Sequence, residues 1–374
     1  MFKFLKKKSA VPNQTTDPAQ NPQPSLLSPL VDRMHGCIKL GAVGDAYGYV
    51  IEFEDIYKIF EKHGGPMHFA DLDKWRDRDG RYIASDDTQM TLFTAEGIAI
   101  AYERREEPGD LGKITIAEVR QAYLRWYETQ RGRSTPSDDK GALSGHPEMF
   151  FPRAPGNTCL AACREGAGAF TPPGEPVNDS MGCGGVMRVA PVAFLKDLSF
   201  QGAYELGCAT AALTHGHPMG WMPSGMLAYI LKALSQGATV LEATNAAIDH
   251  IKHLPHGNTL IAMIDRALVL SGRQKIAPQE IEMIGGGWVG HECLAISLAA
   301  AMMDAPLKTM MTVSANHSGD SDSTAAITGQ LIGAQLGLSG IRKAWSDMDR
   351  VYGDLDLKAA TDMTLARFQK AALT

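Results

Sequence analysis

The sequence has no apolar run long enough to cross a membrane and no excess of positive charge. A spanning helix needs about 18 or more consecutive apolar residues, whereas the best run, Leu294 to Met303, is near half that length. The 374 residues include 36 Lys and Arg against 42 Asp and Glu, a net charge of −6. This balance gives no electrostatic reason to bind nucleic acid or an anionic membrane. We therefore expect neither as a partner.

A secretory signal and paired cysteines are also lacking. The first eight residues are MFKFLKKK, and this basic patch leads into Ser, Asn, Gln and Pro rather than an apolar stretch. Six cysteines in 374 residues are too few for a disulfide framework. The closest pair, Cys159 and Cys163, has helical spacing, and no second pair completes a zinc site. We expect reduced thiols in a cytoplasmic protein.

Residues 8–30 differ in composition from the rest of the chain. Five prolines are interleaved there with Asn, Gln, Ser and Thr, and no helical or strand period is visible. Such a segment cannot bury enough apolar surface to offset its ordering entropy. The sequence therefore predicts a disordered or extended N-terminal arm over residues 1–31 and a single domain over residues 32–374.

The periodicity of the domain is helical, and alternating strand patterns are hard to find. Apolar stripes at helical spacing are formed by Ile116, Val119, Tyr123 and Trp126, by Leu227, Ile230, Leu231 and Leu234, and more loosely by Leu241, Ile248, Ile251 and Leu254. Glycines recur at helical spacing as well, which lets helices pack closely. Residues 128–192 form a long Gly- and Pro-rich loop system, which is usually functional, with one short helix near 157–166. An all-α domain is predicted.

Two acidic motifs stand at the start of apolar helices. One is Ser85-Asp86-Asp87-Thr88, and the other is Gly319-Asp320-Ser321-Asp322-Ser323. Capping explains part of the pattern, because Asp and Ser accept hydrogen bonds from the free N–H groups of a helix start. One cap per helix suffices, however, and four carboxylates that met in space would need a cation. Hard oxygen ligands suit Mg²⁺ or Mn²⁺ rather than zinc. On spacing alone, capping and a metal site are equal alternatives.

Three further elements carry groups that could act on a substrate. Glu52 follows a Gly-rich helix amid apolar neighbours, so it is either a desolvated acid–base group or a surface residue that ends the helix. The glycines around Cys183 either let backbone N–H groups approach a diphosphate or form a plain loop. His215, in Thr-His-Gly-His, is either a substrate contact or a structural residue.

Together these motifs resemble those of the ADP-ribosylglycohydrolase family. They occur in the family's order between about Arg33 and about Trp345. They are Gly-Asp-Ala-x-Gly with a trailing Glu-Phe, Asp-Asp-Thr-Gln-Met, Gly-Gly-x-Met-Arg-x-Ala-Pro, Thr-His and Asp-x-Asp-Ser-x-x-Ala. The resemblance implies a compact all-α bundle of orthogonally packed helices, with a binuclear centre of two Mg²⁺ or Mn²⁺ ions in a cleft.

The resemblance also implies roles for individual residues. The metal ligands would be Ser85, Asp86, Asp87, Asp320, Asp322 and Ser323. The catalytic residues would be Glu52, Asp86 and Asp87, with Glu52 beside the substrate ribose. The ADP-ribose pocket would be lined by Gly184, Gly185, Met187 and His215. Cys183 is an unusual residue for the family's pattern at its position.

The function that this resemblance implies is a glycosidase that removes mono-ADP-ribose from modified protein side chains, with arginine as the favoured acceptor. Serine-linked ADP-ribose is an alternative substrate. A catalytically weak protein that blocks a toxin is another alternative, although the four retained carboxylates favour an enzyme. We expect a monomer whose partner is an ADP-ribosylated protein. The arm has Phe2, Phe4 and Leu5 beside lysines, and is similar to extensions of immunity proteins that dock into an ADP-ribosyltransferase toxin.

Overall fold

The computed structural model describes residues 27–105, 111–133, 141–168 and 175–373. Within these ranges it consists of fifteen α-helices, several short 3₁₀ turns, one π-helical turn (Gln369–Leu373) and two isolated bridges, without a β-strand. The all-α prediction is therefore confirmed. The helices are α1 (Pro29–Gly48), α2 (Ile56–His63), α3 (Asp86–Arg104), α4 (Leu111–Gln130), α5 (Asn157–Arg164), α6 (Phe200–Ala212), α7 (Pro218–Ser235), α8 (Val240–Ile251), α9 (Gly257–Val269), α10 (Pro278–Glu282), α11 (Gly290–Ala301), α12 (Leu307–Ala315), α13 (Ser321–Ala344), α14 (Met348–Gly353) and α15 (Lys358–Phe368).

The first helix begins earlier than the predicted boundary between arm and domain. Ser28 caps α1, and its side chain accepts a hydrogen bond from the backbone N–H of Val31. The last three residues of the predicted arm, 29–31, therefore belong to α1. The arm's residues 1–26 lie outside the described part of the chain. In the described part, none of the helices combines the length and the apolar character needed to span a membrane.

Helices α1 and α13 form an antiparallel pair in direct backbone contact. A Cβ atom at Gly36 would lie 2.5 Å from the carbonyl oxygen of Gly333, and one at Gly48 would overlap the carbonyl oxygen of Ser321. Only glycine fits at such distances, because a side chain would force the helices apart. The antiparallel direction brings the C-terminal end of α1 against the N-terminal end of α13. This contact places the segment around Glu52 beside the second acidic motif, residues 319–323.

The first turn of α3 is hydrogen-bonded to α1, which places it beside the contact between α1 and α13. Asp45 of α1 accepts hydrogen bonds at Oδ1 from the backbone N–H of Ser85 (2.8 Å) and at Oδ2 from that of Thr88 (3.0 Å). The residues from Asp86 to Tyr102 are all buried, so α3 is an internal helix. The starts of α3 and α13 therefore meet at the end of α1.

Two of the three predicted apolar stripes form core faces, and the third is right only in part, because Ile251 is buried and Ile248 packs against the core while its other two members do not. In α4, Val119, Tyr123 and Trp126 are buried, and the whole stripe of α7 is buried. In α8 the buried face is instead formed by Val240, Ala243, Thr244, Ala247 and Ile251. Leu241 is exposed, and Leu254 lies beyond the end of the helix. Small residues on its inner face let α8 pack against α7. The predicted stripe was based on large apolar residues and therefore did not include them.

Candidate active site

A single cleft of about 490 Å³ gathers most of the predicted site residues. Its walls come from the loops after α1, before α5, before α6 and after α6, and from the first turns of α3 and α13. Among its lining residues are Glu52, Asp86, Asp87, Gly184, Met187, His215, Asp320, Asp322 and Ser323. The acidic, glycine-rich and histidine motifs, which are far apart in sequence, therefore meet in one place.

Two predicted site residues, Ser85 and Gly185, are not among the residues that line the cleft. Ser85 is fully buried and caps α3, where its Oγ accepts a hydrogen bond from the backbone N–H of Asp87 (3.1 Å). A Cβ atom at Gly185 would lie 2.8 Å from Cβ of Ala211 and 3.0 Å from the carbonyl oxygen of Gly220. Gly185 thus packs the glycine-rich turn against α6 and α7, which is a different position from the cleft lining predicted for it.

The carboxylates at the starts of α3 and α13 are almost completely buried. Burial raises the pKa of Asp86, Asp87 and Asp322 well above the ordinary range, because a buried carboxylate loses its hydration. The charge of Asp322 raises the pKa of Asp86 and Asp87 further, and the charge of Asp320 does the same to Asp322. Burial and these charges also raise the pKa of Glu52. The cluster thus concentrates more negative charge than it can stabilise unaided.

Capping accounts for only part of this cluster. Ser85 caps α3, and Asp320 caps α13 by accepting from the backbone N–H of Ser323 at 3.2 Å. Among the described residues, however, the buried atoms Oδ2 of Asp87 and Oε2 of Glu52 have no hydrogen-bond partner. Orphaned anionic oxygens in a crowded acidic pocket fit a hard divalent cation. In the described ranges, however, no three His, Cys, Asp or Glu side chains are grouped closely enough to hold a metal ion as they stand.

Asp45 is a site-forming residue to which the sequence assigned no role. It is fully buried, and its two carboxylate oxygens anchor the first turn of α3 as described above. Burial, followed by the charge of Asp322, raises the pKa of Asp45 to about 7. The sequence does contain a signal for Asp45, because an aspartate within a Gly-rich apolar helix is unusual. Its partner could not be read from the sequence, because the partner lies 40 residues away.

An aromatic pair at the mouth of the cleft was also missed. Phe53 and Trp288 stack with ring centroids 5.4 Å apart and planes inclined by 23°. Both rings are unusually exposed for their size, at 66% for Phe53 and 43% for Trp288. Phe53 also has a φ of 67°, a left-handed conformation that is strained for a residue with a bulky side chain. Strain of this kind at the edge of a cleft is typical of functional sites.

The opposite wall is formed by the glycine-rich turn and His215. A Cβ atom at Gly184 would lie 3.0 Å from Cε1 of His215, so the imidazole ring packs directly on the turn. His215 is buried, and burial together with the charge of Arg188 lowers its pKa to about 3. The ring is therefore neutral at physiological pH. The thiol of Cys183 donates to Oδ2 of Asp320 at 2.7 Å, which links this wall to the acidic one.

Thermal stability in the absence of metal is expected to fall as pH rises from about 5 to about 8. The folded state raises the pKa of Asp45, Asp86, Asp87 and Asp322, so it binds more protons than the unfolded chain above the ordinary carboxyl pKa. The stabilisation is complete below about pH 4 and is lost as pH rises towards the folded-state values. Calorimetry should show Tm falling by about 5 °C or more. Mg²⁺ should flatten the slope, and an equal slope with and without Mg²⁺ would contradict this account.

Comparison with known proteins gives a family match over most of the chain. The family model for ADP-ribosylglycohydrolase matches residues 27–372. ADP-ribosylarginine hydrolase Tri1 of Serratia proteamaculans (strain 568) is 25% identical over 335 residues, covering 87% of this chain and 78% of the relative. The protein of the same name from Pseudomonas putida (strain GB-1) is 25% identical over 319 residues, covering 84% and 73%.

A third relative and a solved structure agree with this match. The ADP-ribosyl-[dinitrogen reductase] glycohydrolase of Rhodospirillum rubrum is 23% identical over 336 residues, covering 90% of this chain and 96% of the relative. A structure described as an ADP-ribosylglycohydrolase-related protein complex superposes with a TM-score of 0.59 at 20% identity, over 92% of this chain and 100% of that one. This likeness establishes the fold. The chain therefore belongs to the ADP-ribosylglycohydrolase family and is a glycosidase.

Proposed function

We propose that this enzyme removes mono-ADP-ribose from arginine side chains of modified proteins. The observation that carries the proposal is the cleft, where a buried carboxylate cluster faces a glycine-rich turn and a neutral histidine. Two relatives that are named ADP-ribosylarginine hydrolases support the same acceptor. The direct test is to compare arginine-linked and serine-linked ADP-ribose as substrates. We expect release of ADP-ribose from the arginine conjugate, and preference for the serine conjugate would overturn the proposal.

The family is metal-dependent in general, and we assign two Mg²⁺ or Mn²⁺ ions to the acidic cluster. Oxygen ligands would come from Ser85, Asp86, Asp87, Asp320, Asp322 and Ser323. When bound, such ions would offset the crowded negative charge and polarise ribose hydroxyls and water. The raised carboxyl pKa values and the orphaned oxygen of Asp87 support this assignment.

Glu52 is the group that we assign to proton transfer. Its Oε2 has no hydrogen-bond partner in the part of the chain that the structure describes, and burial raises its pKa, so it can hold a proton at the cleft wall. In the proposed reaction, water forms a bond to the anomeric carbon as the bond to the guanidine nitrogen breaks. Glu52 donates its proton to the departing guanidine nitrogen and takes up the proton that the attacking water loses, so that its protonated state is restored. Asp86 and Asp87 would hold the reacting groups in place.

The exposed aromatic pair supports arginine as the acceptor. If the ribose lies at the carboxylates, the acceptor side chain must extend towards the mouth of the cleft, where Phe53 and Trp288 present their rings. A guanidinium group is planar and cationic, and it stacks favourably on aromatic faces. A serine side chain offers neither the plane nor the charge. The pair thus suits the leaving group that we propose.

Trp288→Ala is expected to lower kcat/KM for ADP-ribosyl-arginine by about tenfold, because a cation–π contact contributes roughly 0.5–2 kcal/mol. The affinity for free ADP-ribose, measured by calorimetry, should stay within about twofold. Trp288→Phe is the matched control, since it retains a ring and should retain most of the activity. An equal loss of ADP-ribose affinity in Trp288→Ala would mean that the rings hold the nucleotide instead.

We also propose that the N-terminal residues bind an ADP-ribosyltransferase toxin, so that the enzyme acts as an immunity protein in the cytoplasm. The support is compositional, since aromatic and basic residues at positions 2–8 precede a proline-rich stretch. A chain beginning at Leu27 should hydrolyse ADP-ribosyl-arginine normally, because α1 and its cap remain intact. Its affinity for an arginine-specific transferase domain should fall about 100-fold, as one large interface contact is lost. Equal affinities of the long and short chains would reject this role.

A further inference from the structure

The acidic lining of the cleft would repel a diphosphate ligand, which is itself negatively charged. Its described lining includes five carboxylates, and neither Lys nor Arg is among these residues. A diphosphate entering this site would meet negative charge on one wall, and its oxygens need hydrogen-bond donors on the other. Buried groups behind the glycine-rich turn supply a positive charge and a hydrogen-bond donor.

Arg188 lies directly behind that turn and is fully buried. A buried guanidinium is normally paired with a carboxylate, but among the described residues the neighbours of Arg188 are all uncharged. They are Oγ1 of Thr214 (2.7 Å), Sγ of Cys159 (3.3 Å), the carbonyl oxygen of Thr210 (3.4 Å), Sδ of Met90 (3.5 Å) and the ring of Tyr123 (4.1 Å to the centroid). Arg188 therefore supplies a positive charge that is not neutralised locally.

Thr214 connects this charge to His215. Its Oγ1 accepts from Nη2 of Arg188 and lies 2.8 Å from Nδ1 of His215. One alternative acceptor for the hydroxyl hydrogen is the carbonyl oxygen of Ala211 at 3.4 Å, which already accepts from the backbone N–H groups of Thr214 and His215. The other is the sulfur of Cys159, which is a weak acceptor. The hydroxyl hydrogen is thus best donated to Nδ1. A neutral imidazole that accepts at Nδ1 carries its own hydrogen on Nε2.

The other nitrogen of the ring faces the glycine-rich turn. A Cβ atom at Gly182 would lie 3.1 Å from Nε2 of His215, and one at Gly184 would lie 3.3 Å from it. Side chains at these two positions would cover the nitrogen, whereas glycines leave it accessible from the cleft. A hydrogen on Nε2 would therefore point to the place where an anionic ligand approaches the turn.

We propose that Arg188 and Thr214 are positioning residues that hold His215 as its Nε2–H tautomer, so that this N–H donates to a diphosphate oxygen above Gly182 and Gly184. The identity of the ligand rests on the proposed function, since ADP-ribose contains the diphosphate. The low pKa of His215 agrees with a ring that stays neutral and binds by hydrogen bonding rather than by charge. The positive charge comes instead from Arg188, from behind the turn.

The test compares Thr214→Val with Thr214→Ser. Valine keeps the shape but removes the hydroxyl, so Nδ1 loses its donor, and the dissociation constant for ADP-ribose should rise about tenfold. Serine should restore affinity to within about threefold. Adenosine lacks the diphosphate, so its weaker binding should be unchanged in both variants. Thr210→Val is the matched control, because its hydroxyl bonds to Gly207 and does not contact His215.

Nitrogen-15 NMR of His215 gives a readout that a purely structural role would not change. The unmodified protein should show Nε2 protonated and Nδ1 unprotonated near neutral pH, and Thr214→Val should show a mixture of tautomers. A proton on Nδ1 in the unmodified protein overturns the inference without any variant. So does unchanged ADP-ribose affinity in Thr214→Val. Hydrolysis by the unmodified protein distinguishes the two possible failures. If only this inference is wrong, the unmodified protein still hydrolyses ADP-ribosyl-arginine, and if the proposed function is wrong, it does not.

Discussion

Asp322→Asn is expected to lower ADP-ribosyl-arginine hydrolysis by about 10³-fold or more and to weaken retention of divalent metal. Asp322 is buried at the start of α13, and its charge raises the pKa of Asp86, Asp87 and Glu52. It is therefore the central charge of the cluster. Asparagine keeps the size and one oxygen but removes the anionic ligand. Steady-state kinetics and metal analysis after dialysis would measure both effects.

The control for this variant must separate lost chemistry from lost folding. Asp304→Asn makes the same change at an exposed position and should leave activity and metal content unchanged. Asp322→Asn should also unfold cooperatively, since removing a charge from a crowded acidic site does not open a cavity. Normal turnover by Asp322→Asn, or by the unmodified protein in excess chelator, would reject the metal assignment.

Glu52→Gln is expected to reduce kcat by about 10²- to 10⁴-fold, the range typical for loss of a general acid–base group. The substitution preserves size while removing the capacity to transfer a proton. Binding of ADP-ribose, measured by calorimetry, should change by less than about threefold, so the effect should appear in kcat rather than in KM.

Glu61→Gln provides the comparison for this second variant, because Glu61 is exposed on α2 and lies outside the cleft. It should behave as the unmodified protein does. If Glu52→Gln instead loses ADP-ribose binding while turnover per bound substrate is unchanged, then Glu52 is a binding contact and proton transfer belongs to another carboxylate.

The sequence predicts the composition of the site better than its geometry. Both acidic motifs, Glu52 and His215 were identified from local patterns, because helix starts, glycine-rich turns and isolated buried charges leave local signals. Their meeting in one cleft depends on the backbone contact between α1 and α13. Recurring glycines indicated close packing there, but they did not specify which helices pair or in which direction.

Residues that act through distant partners could not be predicted in the same way. The hydrogen bonds of Asp45 to the first turn of α3, the stacking of Phe53 on Trp288 and the contact of Arg188 with Thr214 each join segments that are 26 or more residues apart. The α8 stripe is right only in part for a related reason, since packing against α7 selects small residues for its inner face. Local pattern therefore indicates which residue types are available, and tertiary packing decides which of them meet.

The most direct test of the account is release of ADP-ribose from ADP-ribosyl-arginine by the purified full-length protein. The reaction should be followed with Mg²⁺, and then with the same protein after chelation. We predict multiple turnovers with Mg²⁺, loss of activity in chelator and recovery when Mg²⁺ is restored. A protein that binds ADP-ribose in the cleft but releases none from ADP-ribosyl-arginine under any of these conditions would contradict the account.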